Sequence, residues 1–329
     1  MSTSPDLYSS PIPGVERTRD TIVIGASAGG FDALLELAAA LPPDVPASLL
    51  VVLHVGAHPS SLPDSLSAAG PLPAHHAKHG EPLLPGRIYV APPDRHLMIG
   101  ADSKLRVVKG RKENFARPAI DPLFRSAAQA RGSRVVGAIL TGMLEDGAAG
   151  LRAVHDCGGV TIVQDPATAR APDMPCNAMQ QIQPDHVLPL AEIAPRLALL
   201  AGSPAGPAQL ARGATPEARA GTPQPTALTC PACGSRLWQI LDHVPPRYRC
   251  DAGHAYSIES LRAAGDDALE RARADALRAL HEKKVLSEEL AGYHQEFGDE
   301  RSASRYQLDA RKALVSAQEI EKLMRDGTD

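Results

Sequence analysis

Little of this chain is aromatic: one Trp, six Tyr and four Phe in 329 residues. Its core must therefore be built from Ala, Leu, Val and Ile. Nor is there an excess of charge. Lys plus Arg number 34 against 38 Asp plus Glu, a formal −4, and no basic stripe is interleaved with aromatics. That excludes nucleic acid as the main partner. No apolar run approaches the roughly 20 residues of a membrane span, so no membrane insertion is expected. The opening MSTSPDLYSSPIPGVERTRD lacks the apolar segment of a secretory signal. The expected location is the cytoplasm. Cysteines are few, five in all, and in a reducing compartment they indicate metal ligands or free thiols, not a disulfide framework.

Against these absences, hydrophobic residues make up 43% of the chain, ample for a catalytic domain with an appendage. Residues 1–19 read as a disordered lead. From 20 to 201, strand-like runs alternate with helical ones. The strands are TIVIG, SLLVVLHV (48–55), GRIYVAP (86–92), RVVGAILTGM (134–143) and GVTIVQD (159–165); helical candidates lie at 31–41, 121–131, 147–156 and 191–201. Continuous apolar runs such as LLVVL predict strands buried on both faces. RHLMIG and KLRVVKG predict an antiparallel hairpin inserted on the sheet. The expectation is an α/β domain with a doubly wound, mainly parallel sheet. Residues 202–227, rich in Pro, Ala and Gly, read as a linker. Residues 228–258 form a compact Cys/His segment, and 259–329 a helical hairpin broken near Gly298.

Three polar residues fall at strand ends, where an open parallel sheet gathers its active groups. Ser27 follows the first strand within Gly25-Ala26-Ser27-Ala28-Gly29-Gly30, His54 ends the second, and Asp146 follows VVGAILTGM. Small residues around Ser27 permit a sharp strand-to-helix turn with the hydroxyl exposed. Imidazole can take the serine proton, and an aspartate can fix the imidazole's tautomer. Each residue also has a plain structural use, and Asp146 could simply cap the next helix. Their joint placement favours a catalytic triad. A dinucleotide fold would want G-x-G-x-x-G and an acidic residue after the second strand, and neither is present. The ordinary α/β-hydrolase has several strands before its nucleophile.

IGASAGG, the LHV strand end, PGRIYVAPPDRHL, RPAIDPLF (117–124), LTGMLEDGAAG and VQDPATA, in this order, resemble the CheB-type protein-glutamate methylesterases of bacterial chemotaxis over roughly residues 20–201. The resemblance implies that Ser27, His54 and Asp146 form the triad and that Ala28 and Met143 contribute to the oxyanion site. It implies hydrolysis of glutamate γ-methyl esters on chemoreceptor cytoplasmic helices, with methanol released and no catalytic cofactor; some members also deamidate glutamines. The chain departs from the family at Ala28, where Thr is usual, at Leu144, where Gly is frequent, and at Cys176, where a basic residue is common. With 20 residues before the first strand, gating by an N-terminal receiver domain is not expected. Arg117 and Asp121 either shape the substrate groove or form a structural ion pair.

Cys230 and Cys233, then Cys250 and His254, supply C-x2-C…C-x3-H, four ligands at zinc-knuckle spacing; His243 is the less favoured fourth ligand. A structural zinc is predicted. The segment also resembles one that single-domain relatives of the methylesterase often carry together with a helical tail. The tail places Leu269, Ala272, Ala276, Leu280, Ala310, Ala313, Ala317 and Ile320 at helical spacing, which suits a self-packed hairpin or a partner-binding or dimerising face. The competing reading of the whole chain is a signalling adaptor with a vestigial triad that binds through the Cys/His module and tail.

Overall fold

The strands Thr21–Ala26 (β1) and Ser48–Leu53 (β2) are buried at every residue. Alternate side chains go to opposite cores in the computed structural model. Ile22, Ile24, Leu49 and Val51 join one cluster, while Val23, Leu50 and Val52 join the other. Period-two alternation does this in any strand; two apolar faces then require helices on both sides. The structure describes residues 17–206, 223–240 and 247–326.

In chain order the first domain contains β1, α1 (Gly30–Ala40), β2, α2 (Leu62–Ala69), β3 (Ala74–His76), β4 (Arg87–Val90), β5 (His96–Ile99), β6 (Leu105–Val108), α3 (Ile120–Arg131), β7 (Val135–Ile139), α4 (Ala148–Asp156), β8 (Val160–Gln164), α5 (Asp173–Gln181), β9 (His186–Leu188) and α6 (Leu190–Leu200). Seven strands form one sheet in the order β3-β4-β2-β1-β7-β8-β9, and every pairing is parallel. Leu34 and Leu37 of α1, Leu66 of α2 and Leu197 of α6 cover one face. Leu123 and Phe124 of α3, Leu151 of α4 and Met174 of α5 cover the other. Each such side chain contributes about 1.5–3 kcal/mol on burial. The chain winds outward in one direction from β1 to β2 and in the other from β1 to β7. The crevice beyond the C-terminal ends of β1 and β7 is thus the switch point at which open α/β sheets hold their ligands.

Three expectations need correction. The hairpin β5–β6 is a separate two-stranded sheet, not an extension of the main one; it joins the α3 face, where Ser126 Oγ accepts the Ile99 N–H at 3.0 Å. Residues 17–19, assigned to the lead, pair with the stretch after α6: Arg19 and Gly202 exchange backbone bonds with that segment, and Thr18 bridges Pro204. The strand Gln224–Thr229 (β10) begins inside the stretch read as linker. With Arg236–Ile240 (β11), Arg247–Cys250 (β12) and Ala255–Tyr256 (β13) it forms a four-stranded antiparallel sheet. Residues 1–16, most of the expected linker and His243 lie outside the described residues.

The chain divides into two units, Met1–Ser260 and Leu261–Asp329. Two helices dominate the C-terminal region: α7 (Ile258–Glu296), which opens at the end of the first unit, and α8 (Glu300–Asp326). They are separated by a turn in which Asp299 Oδ1 caps α8 through the Ser302 N–H at 3.1 Å. Ala310, Ala313 and Ala317 are buried as their spacing predicts, whereas Leu269 and Ala272 are exposed. Among the described residues no helix is long and apolar enough to cross a membrane.

Candidate active site

β1 ends one residue before Ser27, whose N–H donates to Thr141 O at 3.0 Å and whose carbonyl accepts the Gly30 N–H at 2.8 Å. These bonds turn the chain sharply into α1. Gly29 takes φ 74° at the helix entrance, a left-handed conformation that an L side chain disfavours. Gly142 is required for a different reason. A Cβ there would lie 2.9 Å from Ser27 Cβ and 2.0 Å from Met174 Sδ, so only glycine lets the β7 loop approach the serine.

His54 stands directly after β2, its N–H bonded to Ala26 O at 3.3 Å. Its Nδ1 is 3.0 Å from Ser27 Oγ and its Nε2 is 2.8 Å from Asp146 Oδ2. An ionised carboxylate can only accept. The ring proton therefore sits on Nε2, and the Nδ1 lone pair faces the Ser27 hydroxyl. The three residues named from the sequence come together in one hydrogen-bonded line.

Asp146 is 3% exposed and does not cap the helix that follows it. It takes the Ile120 N–H on Oδ2 at 2.6 Å and the Asp121 N–H on Oδ1 at 3.3 Å, so it satisfies the first turn of α3. Asp121 reciprocates by accepting the N–H groups of Gly147 and Gly150, at 3.1 and 2.6 Å, where α4 begins. Each helix thus borrows its capping group from the other. Burial pushes the Asp146 carboxyl up, but the bond to His54, the nearby imidazole charge, the Ile120 N–H and the Asn114 amide outweigh it and hold the group below its ordinary value. Asp121 moves the other way, to about 7, through burial first and then the charge of Asp146, with Arg125 opposing. Neighbouring carboxyls held apart in this way suit one group kept as a charge.

Arg117 and Asp121 do not pair with each other. Arg117 grips Asp94 (Nε to Oδ1, 2.8 Å), while Arg125 lies 3.6 Å from Asp121. Arg117, Asp94, Lys112, Asn114 and Phe115 line a cavity of about 310 Å³ beside His54; Arg117 there is held in its ion pair with Asp94, and Asp121 does not line the cavity. Opposite, the β7 loop exposes Met143 and Leu144. Leu144 has φ 63°, a left-handed conformation that glycine adopts more readily than leucine. The backbone N–H groups of Ala28 and Met143 carry no intramolecular bond among the described residues. Asn114, which sequence reasoning missed, donates from Nδ2 to Asp146 Oδ1 at 3.1 Å.

In the C-terminal module the ligand atoms of Cys230, Cys233, Cys250 and His254 all lie within 4.8 Å of one another. Cys233 and Cys250 sulfurs are 3.8 Å apart, and His254 Nδ1 is 3.4 Å from Cys250 Sγ and 3.6 Å from Cys230 Sγ. Thiolates at about 2.3 Å from a tetrahedral ion stand about 3.8 Å apart, so the cluster could hold one metal ion.

The CheB methylesterase family matches residues 22–197, the segment that carries all three strand-end residues. This chain belongs to the CheB methylesterase family. Over 175 residues it is 41% identical to protein-glutamate methylesterase/protein-glutamine glutaminase 2 of Anaeromyxobacter dehalogenans, covering 53% of this chain and 51% of that protein. Over 206 residues it is 37% identical to enzyme 4 of the same name from that organism, covering 61% and 58%. The chain thus spans between 51% and 58% of the length of these curated relatives. The crystal structure of the Thermotoga maritima CheB methylesterase catalytic domain superposes with a TM-score of 0.54 at 34% identity, covering 56% of this chain and all (100%) of that one.

Proposed function

We propose that this CheB family member is a serine esterase that removes methyl groups from glutamate γ-methyl esters on the cytoplasmic helices of chemoreceptors or receptor-like signalling proteins. The observation that carries the reading is the line Ser27 Oγ, His54 Nδ1, His54 Nε2, Asp146 Oδ2, with gaps of 3.0 and 2.8 Å. Ser27 attacks the ester carbonyl as its proton passes to Nδ1 of His54. Asp146, ionised and held by backbone N–H groups, stabilises the imidazolium that forms. The unbonded N–H groups of Ala28 and Met143 receive the oxyanion. His54 then returns the proton to the departing methoxide, and methanol leaves. Water, activated by the same imidazole, cleaves the acyl-enzyme to the free glutamate. A primary amide meets the same groups with ammonia as leaving group, so glutamine deamidation follows the same course.

No step needs a cofactor. Cys230, Cys233, Cys250 and His254 would hold a structural zinc, which leaves no open coordination position for chemistry. The chain acts in the cytoplasm in this reading, and the helical hairpin offers a docking or dimerising face.

The adaptor alternative is disfavoured. Binding alone gains nothing from a buried carboxylate trained on an imidazole that faces a half-buried serine at a strand-to-helix turn. The names of the relatives weigh on the same side. Covalent labelling with a fluorophosphonate tests the choice: an activated Ser27 takes up the label and Ser27→Ala does not. Absence of labelling at Ser27 in the full chain would refute the esterase reading.

A further inference from the structure

Asn114 is bonded on both sides of the boundary between the α/β domain and the Cys/His module. It is 8% exposed. On the domain side Nδ2 donates to Asp146 Oδ1 at 3.1 Å and to Asp121 Oδ2 at 3.2 Å. On the module side Oδ1 accepts the Ser257 N–H at 3.1 Å, and its backbone N–H donates to Ala255 O at 3.0 Å. A backbone donor on the oxygen and carboxylates on the nitrogen leave the amide one orientation.

The module is built to hold this loop. Ala255 directly follows His254, a member of the four-residue cluster, and its N–H returns to Lys112 O at 3.4 Å. Phe115 packs on Tyr256 with ring centroids 4.9 Å apart, and the Tyr256 hydroxyl is 3.3 Å from Cys230 Sγ. Arg247 of β12 reaches Glu113 at 3.4 Å. Asn114 and Phe115 themselves take φ 48° and 62°. Two consecutive left-handed non-glycine residues persist only where their surroundings over-determine them. A second grip lies beside the first: Ser260 donates from N and Oγ to Glu145 Oε1, at 2.8 and 3.0 Å, one residue before Asp146.

We propose that Asn114 is a positioning residue of the esterase and that the Cys/His module holds it in place, so that a metal ion in the module orients Asp146 through the Asn114 amide. The inference rests on the reading of Ser27, His54 and Asp146 as the triad. Without the metal, Cys230 and Cys233 are joined to the turn of Cys250 and His254 by the β10–β13 sheet and the Tyr256–Cys230 contact alone. The segment 255–257, which begins with β13, then loosens, the 112–115 loop is released, and Asp146 loses a donor and its fixed angle toward His54. The module is in this view a working part of the active site.

The test is a double-mutant cycle on the full chain, read as the rate of Ser27 labelling by a fluorophosphonate, with zinc content and circular dichroism measured on each variant. Asn114→Ala should label about 10- to 100-fold more slowly, the usual penalty for slight misplacement of a catalytic group, while retaining its zinc. Cys233→Ser, at an exposed ligand, should lose zinc and slow labelling to a similar degree. The double variant should be no slower than Asn114→Ala, because both changes cut one connection. Asn114→Asp keeps the shape and places a third carboxyl beside Asp146 and Asp121. Like charge raises the Asp146 carboxyl, so the acid limb of the rate profile should move to higher pH, a shift that a purely structural loop residue would not produce. Wild-type labelling rate in Asn114→Ala, or independent multiplication of the two effects, would overturn the proposal. An unlabelled wild-type chain would instead bring down the triad reading, and this inference with it.

Discussion

Replacing Asp146 by asparagine preserves shape and removes charge, and the surroundings make the consequence calculable. Oδ2 now accepts from His54 Nε2 at 2.8 Å and Ile120 N at 2.6 Å, while Oδ1 accepts from Asp121 N at 3.3 Å and Asn114 Nδ2 at 3.1 Å. All four partners are donors, and an amide has only one accepting atom. If its NH2 faces His54, it donates to Nε2 and drives the ring proton onto Nδ1, against Ser27. If it faces Asn114, two donors meet two donors, and Asn114 cannot turn because Ser257 N–H holds its oxygen. Facing His54 the amide leaves the Ile120 N–H without an acceptor, and facing Asn114 it strands two buried donors, at about 1–3 kcal/mol each, so Asp146→Asn should lose at least about 1–3 kcal/mol of stability in urea unfolding at pH 7. The wrong tautomer, or a neutral partner for the imidazolium, should lower kcat about 10³- to 10⁴-fold with KM little changed. The pH dependence has a fixed sign. Asp146 is depressed in the folded chain; its contribution is complete above the ordinary carboxylate value and disappears as pH falls through the lower folded one. The stability deficit of the variant should therefore be largest at neutral pH and narrow in acid. A variant within about threefold of wild-type kcat, on a small ester or on methylated receptor, would refute the assignment of Asp146.

Other consequences can be read from single contacts. Gly142→Ala should displace Met174 and push Ser27 off line, costing about 1–3 kcal/mol of stability and about 100-fold in kcat, measured by thermal unfolding and ester hydrolysis. Burial, then the Glu259 carboxyl, raises Glu145 to about 9, so the folded chain holds a proton that the unfolded chain releases near the ordinary value. Wild-type stability should fall as pH rises between those two values, and Glu145→Gln should flatten that fall. Thr161 exchanges two hydroxyl bonds with Asp185, at 2.8 and 3.0 Å, across the β8–β9 edge. Thr161→Val should lower stability by about 1–3 kcal/mol in urea with kcat unaltered.

Much of the site was legible because it follows strand ends. Ser27 and His54 stand directly after β1 and β2, and Asp146 lies in the loop that follows β7; all three strands are buried throughout, and parallel topology brings such ends together. Asn114 had no comparable signal. It sits in an irregular loop, and its partners at 121, 146, 257 and 260 bear no periodic relation to it. The one hint was compositional: an Asn within a run of Lys, Glu and Arg that also holds a Phe, six residues before the helix whose first turn Asp146 caps. Short elements were missed for a related reason. Three-residue β3 and β9 display no alternation, and α2 begins Leu62-Pro63 with only two turns to show a face. Gln224–Thr229 carries Pro225 and exposed positions almost throughout, so its composition resembles a linker although it pairs with β11. At the linker's other end, the backbone of Gly202 and Ala205 is tied to residues 17–19, a contact across the whole domain that local composition cannot reveal.

The most direct measurement is methanol release from methylated receptor membranes by the purified full chain, compared with Ser27→Ala. The account predicts release by the wild-type chain and none above background from the variant. Equal release from both would show that Ser27 is not the nucleophile and would contradict the central claim.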